Sequence, residues 1–132
     1  MKTTHNRGVA AQIGRYSDGV EVSGKVRWLH TSGTPGIRPD GTAPETIEAQ
    51  ADQAWKNILA ILEAAGMEVA DIVKVTQYLI HPEDKPAYIQ VRSRYLGEAR
   101  PAFMLSVVTE LIRPDILVEI EVIAAKTEGD SL

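Results

Sequence analysis

Ile116-Leu117-Val118-Glu119-Ile120-Glu121-Val122-Ile123-Ala124-Ala125 is the stretch from which the fold is read. Its period is two, so Ile116, Val118, Ile120, Val122 and Ala124 fall on one side of a strand, and Leu117, Glu119, Glu121, Ile123 and Ala125 on the other. The first side is wholly apolar and belongs under helices. The second carries two carboxylates among apolar residues. The preceding run, Ala102 to Thr109, is largely apolar on both sides: Ala102, Met104, Ser106 and Val108 against Phe103, Leu105, Val107 and Thr109. A sheet covered by helices on one face should show water-facing residues on the other. No further element remains in the chain to cover Phe103, Leu105 and Val107, so the pattern predicts a partner subunit there.

Upstream, Ala51, Ala54, Trp55, Ile58, Leu62 and Ala65 recur at spacings of three and four, one apolar stripe of a helix. Thr46 is its N-cap and Gly66 follows its last turn, which predicts a helix over Thr46 to Ala65. Ile72 to Ile80 is rich in β-branched residues and reads as a strand, stopped by His81-Pro82. Asp84 caps a second helix with Pro86 in its first turn, and Tyr88, Val91, Arg92, Tyr95 and Leu96 follow the helical period up to Gly97. Earlier still, Gly19 to Val22 and Val26 to Thr31 read as a hairpin about Ser23-Gly24. An irregular crossing through Gly33, Pro35, Gly36, Pro39, Gly41 and Pro44 follows it. The polar ends, Met1 to Gly8 and Lys126 to Leu132, read as frayed. The order is βββαβαββ, an α+β layer with both helices on one sheet face. It forms a single domain over 1–132 with its core at about 12–125.

Composition narrows the chemistry. With 132 residues and 44% hydrophobic content, the chain can bury a core without staples. It has no cysteine, which removes disulfides, thiol nucleophiles and thiolate metal sites. His5, His30 and His81 are not at ligand spacing from one another, so no metal is expected. A net charge of −4 without a basic-aromatic patch makes nucleic acid a poor partner. No apolar run reaches the ~20 residues of a membrane span, and no secretory leader is visible, so a cytoplasmic protein is expected. Among acid/base candidates Glu119 and Glu121 stand out. A carboxylate desolvated in a subunit seam would have its pKa raised, whereas two solvated glutamates on a strand would do no chemistry. From spacing alone the solvated reading prevails for each of the two, and the spacing goes no further than an α+β domain that oligomerises.

Five segments in order resemble the RidA/YjgF family: Gln12-Ile13-Gly14-Arg15-Tyr16-Ser17-Asp18-Gly19, Thr31-Ser32-Gly33, Gln50 to Gly66, Asp71 to Thr76, and Val118 to Ala124. The resemblance spans about Gln12 to Ala125. It implies a chorismate-mutase-like fold (bacillus type), a single layer of mixed sheet with two helices on one face. It further implies a homotrimer with a small-molecule ligand at each subunit interface, and hydrolysis of reactive enamines and imines without metal or organic cofactor. Carried over by position, Glu119 and Tyr16 are the catalytic residues. Ser32, Gly33, Thr34, Gln90, Phe103 and Leu105 bind substrate.

One position departs from the family's pattern. Family members with this activity carry Pro-Ala-Arg, whose arginine clamps a substrate carboxylate, where this chain has Pro101-Ala102-Phe103; Leu105 stands where a cysteine is frequent. Losing a charge-assisted hydrogen bond costs about 1.5–3 kcal/mol, so a substrate other than a standard 2-imino acid is expected. Arg27, Arg38 and Arg100 are the candidate replacements, and Phe103→Arg is expected to restore carboxylate recognition. The alternative is a non-catalytic trimeric module that binds a small metabolite or another protein.

Overall fold

The computed structural model describes residues 1–128. The apolar stripe of the first helix does what its spacing dictates. Helix α1 spans Ile47–Ala64, and its Ala51, Ala54, Trp55, Ile58 and Leu62 are buried. Each large apolar side chain so buried contributes about 1.5–3 kcal/mol. Thr46 Oγ1 accepts from the Ala49 N–H at 3.2 Å. The chain leaves the helix through Gly66 at φ +70°, a backbone that glycine adopts without strain.

In chain order the other elements are β1 Lys2–His5, β2 Gly19–Val22, β3 Val26–His30, β4 Thr34–Pro35, β5 Ile72–Leu79, α2 Lys85–Leu96, β6 Ala102–Val107 and β7 Val118–Thr127. The main sheet runs β3-β7-β5-β6, with β4 also paired to β7. Only β5 and β6 are parallel, the pair that α2 bridges. Val118, Ile120, Val122 and Ala124 of β7 are at most 1% exposed and pack with both helices in one core, as the alternation predicts. The architecture is α+β, two helices on one face of a mixed sheet.

Several expectations are corrected. The hairpin between Gly19–Val22 and the next strand does not form: β2 pairs with β1, and β3 pairs with β7 from Val26↔Thr127 to His30↔Ile123. Gly24, at φ +98°, turns the chain between the two. Met1 to Gly8 is not frayed. Lys2 to His5 form β1, and the Asp18 carboxylate accepts from the Arg7 and Ala10 N–H groups at 2.5 and 2.7 Å. Those bonds hold the Asp18 carboxyl below its ordinary range. At the other end Lys126 and Thr127 belong to β7, and 129–132 lie outside the described residues. The crossing after β3 contains β4. Asp84 does not cap α2 with its side chain; a single 3-10 turn, Pro82–Asp84, leads into the helix instead.

The largest correction concerns β6. In the parallel ladder Phe103, Leu105 and Val107 pair with Val75, Gln77 and Leu79, all buried on the helix side. The three are therefore half-buried against the core. They do not lie on the uncovered face, as the pattern had suggested. That face carries Met104, 52% exposed, and across the sheet Trp28, 53% exposed. Alternation fixes which residues share a face but not which face is which, and at an edge strand half-covered by a helix the two look alike in sequence.

Candidate functional site

The expected site residues gather at two separate places. The first is on the uncovered face of β7. Thr34↔Ile120 and Pro35↔Glu119 lay the end of the Ser32–Thr34 loop along that strand. Thr31 fixes the loop's start: its N–H donates to Val122 O at 3.0 Å, and its Oγ1 accepts from the Val122 N–H at 2.9 Å. Thr34 Oγ1 donates to Ser32 O at 2.9 Å. The half-buried Glu119 side chain rests on Gly33. A Cβ there would lie 2.9 Å from Glu119 Cδ, so only glycine admits the carboxylate this close to the loop backbone. Glu121, on the same face, is exposed opposite Thr76.

The second place is on the helix side of the sheet's β6 edge. A cavity of about 640 Å³ opens between the Ile13–Tyr16 segment, α2 and β6, and Tyr16, Phe103 and Leu105 line it. Ser17 holds Tyr16 there. It bridges to Ala102, its N–H donates to Pro101 O at 3.1 Å, and its hydroxyl donates to Arg100 O at 2.6 Å. The Tyr16 and Phe103 rings stack with centroids 4.9 Å apart.

Arg92 of α2 reaches the same ring: its guanidinium carbon lies 4.3 Å from the Phe103 centroid and 5.7 Å from that of Tyr88. Arg92 is only 7% exposed. Its Nη1 donates to Gln77 Oε1 at 2.9 Å, and the Tyr88 hydroxyl donates to that same oxygen at 2.5 Å. Gln77 Nε2 donates to Met104 O at 3.1 Å, which fixes the amide's orientation. Burial pushes the Tyr88 phenol far above its usual range, so it stays a neutral donor. Burial pushes Arg92 down while Tyr88 and Tyr16 oppose it. A guanidinium starts so high that it remains a cation.

Gln90 joins neither place; it is exposed on α2 and does not line the cavity. In one chain Glu119 and Phe103 lie on opposite faces of the sheet with β5 between their strands. Among the described residues no three His, Asp or Glu side chains are grouped to hold a metal, and no helix is long and apolar enough to cross a membrane.

The family described as Endoribonuclease L-PSP matches residues 8–126. A 2-iminobutanoate/2-iminopropanoate deaminase of Escherichia coli K12 is 33% identical over 128 residues, 95% of this chain and 98% of the relative. The chain belongs to the RidA/YjgF family. A Rid-family protein, YyfB from Yersinia pestis, superposes with a TM-score of 0.80 at 26% identity, covering 95% of this chain and 98% of that one. Escherichia coli TdcF with bound serine superposes at 0.72 with 30% identity, covering 87% and 91%.

The three candidate replacement cations are held at different places. Arg27 donates to Ala65 O and Arg38 to Thr42 Oγ1. Arg100 lines the cavity but donates to Gly97 O and Ala99 O. The cation that touches Phe103 is Arg92, which the sequence reading had counted only as a member of the helical period. Its signal was there: a charge on the stripe Tyr88, Val91, Arg92, Leu96, all of them buried.

Proposed function

We propose that the protein is a hydrolytic deaminase of reactive enamines or imines, working as a cytoplasmic homotrimer without metal or organic cofactor. The observation that carries this reading is the Glu119 carboxylate seated on Gly33 of the Ser32–Thr34 loop. In this reading the two groups of residues meet across a subunit interface, the Tyr16 and Phe103 side of one copy facing the Glu119 side of another. The uncovered face with Trp28 and Met104 supports such an assembly.

The reaction adds water across C=N and then expels ammonia. Glu119 takes a proton from the attacking water as oxygen bonds to the imine carbon and passes it to the nitrogen, giving a carbinolamine. It then takes the carbinolamine's hydroxyl proton as the C=O bond forms and passes it to the nitrogen, which leaves as ammonia when the C–N bond breaks. Loop N–H groups orient the substrate, and Tyr16 closes the cleft wall. Phe103 donates no hydrogen bond where the family's arginine would, so the substrate differs from the small 2-imino acids named for the Escherichia coli relative.

The test is ammonia release from freshly generated imines with and without a carboxylate. Glu119→Gln is expected to lower turnover at least 100-fold, following the ~10²–10⁴-fold worth of a positioned acid/base, with light scattering still reporting a trimer. Unchanged turnover in that variant removes Glu119 from the mechanism. No ammonia from any imine, with small-molecule binding intact, would make the protein a binding module instead.

A further inference from the structure

The walls of the α2–β6 cavity are unlike the rest of the molecule. The chain carries a net charge of −4, yet this cavity is lined by Arg15, Lys85, Arg92 and Arg100 and by no aspartate or glutamate. Arg92 is the buried member of that set. A guanidinium has five N–H donors, and among the described residues Arg92 makes one side-chain hydrogen bond, to Gln77. The Phe103 ring centroid lies 4.3 Å from its guanidinium carbon, and Arg92 lines the cavity. A buried arginine whose free donors reach a cavity is under-satisfied until an anion arrives, and a carboxylate matches the guanidinium edge in a bidentate way. The apolar part of the wall includes Ile13, Ile89, Leu96, Phe103 and Leu105.

We propose that Arg92, carried by α2 and held by Gln77, Tyr88 and Phe103, is the recognition element of a carboxylate subsite for molecules with an apolar stem of several carbons. This deepens the deaminase reading and rests on it for the identity of the reacting group. The carboxylate would sit beyond the Phe103 ring, toward α2. The substrate would then be an imine or enamine whose carboxylate is separated from the C=N carbon by a stem lying along Phe103 and Leu105. Phe103 is in this view the platform that carries the cation, and its departure from the family pattern and the burial of Arg92 are two parts of one arrangement.

The experiment is a binding titration of the intact protein, followed by two-dimensional amide NMR, with hexanoate, the uncharged hexanamide, and propanoate. Wild type is expected to bind hexanoate at least tenfold more tightly than hexanamide and more tightly than propanoate, with the largest shifts at Arg92, Phe103 and Leu105. Arg92→Met should lose at least tenfold toward hexanoate, and Arg92→Lys should lose less. Wild type that binds hexanamide as well as hexanoate overturns the proposal, whether or not either variant folds. So does a folded Arg92→Met variant with unchanged affinity. A carboxylate supplied by a second copy of the chain would instead appear as wild type indifferent to hexanoate and an Arg92→Met variant with an altered oligomeric state, which also overturns it. Because binding is read without turnover, hexanoate affinity that survives in an inactive protein would defeat the deaminase reading and leave the subsite standing.

Discussion

Helices α1 and α2 lie on the same face of the same sheet, but their buried sides are different in kind. That of α1 holds Ile47, Ala51, Ala54, Trp55, Ile58 and Leu62 together with Gln50. That of α2 holds Tyr88, Val91, Arg92 and Leu96. Each helix thus buries one strongly polar side chain, and the two are used differently. Gln50 spends its amide on structure: Nε2 donates to Pro44 O at 2.8 Å and Asp115 O at 2.6 Å, and Oε1 accepts from the Leu117 N–H at 2.8 Å. Gly36 lets that segment close over the helix, since a Cβ there would lie 2.8 Å from the Gln50 carbonyl carbon. Arg92 keeps donors to spare and a cavity beside them. A buried polar group with every partner supplied belongs to the scaffold. One with unused hydrogen-bonding capacity facing open space is where a ligand is to be sought.

The most severe test of α1 as pure scaffold is Trp55→Ala. Trp55 is fully buried in the core, and its ring stacks on that of Tyr95 with centroids 6.3 Å apart. Truncation is expected to cost about 3–5 kcal/mol, measured by urea unfolding at one protein concentration. A loss below about 1 kcal/mol would mean that the site collapses around the missing ring, and that α1 is less tightly packed than its burial implies.

The second test turns to α2. From sequence alone Phe103→Arg looks like the repair of a lost clamp. The structure gives a different expectation, because the new guanidinium would arrive half-buried beside Arg92 and would remove the ring on which Arg92 rests. Over-packing and like-charge repulsion predict a loss of about 1–3 kcal/mol in unfolding, with weaker hexanoate binding. A variant that keeps its stability and binds the carboxylate more tightly would show that Arg92 does not own this place.

What was legible in the sequence follows the same division. The stripe of α1, its Thr46 cap and the alternation of β7 were readable because each follows a period that only one fold satisfies. The pairing of β1 with β2 was not. Its four residues are all exposed, and the hydrogen bonds that order the segment, from the Asp18 N–H to Asn6 Oδ1 and from the Arg7 N–H to the Asp18 carboxylate, leave no apolar signature. At the candidate site, Glu119 beside the Ser32–Thr34 loop was reached through resemblance, and the structure places them side by side. Phe103 was placed on the wrong face, since both sides of β6 are apolar and only its register with β5 decides. Arg92 escaped because a charge on a helical stripe reads as a snorkelling surface residue until the aromatic ring beneath it is seen.

The smallest expected effect separates the two helices at their first turns. Thr46 caps α1 with a hydrogen bond, so Thr46→Ala should cost about 1 kcal/mol. Asp84 stands at the matching position of α2 and makes no such bond. Burial raises its carboxyl above the ordinary value, and nearby Glu83 and Glu48 add to this while His81 opposes it. For an acid whose folded pKa is raised, the folded state holds its proton longer than the unfolded state. The charged form is therefore slightly destabilising, and the penalty appears as pH rises through the unfolded and then the folded pKa. Asp84→Asn should thus leave the protein unchanged or slightly more stable at pH 7, within about 0.5 kcal/mol because solvent screens so open a site. The difference from wild type should fade as the medium is taken toward pH 3. Thermal unfolding of both variants at pH 7 and pH 3 checks the pair. A loss of about 1 kcal/mol from Asp84→Asn at pH 7 would mean that α2 is capped through its side chain after all, and the contrast between the two helix starts would be gone.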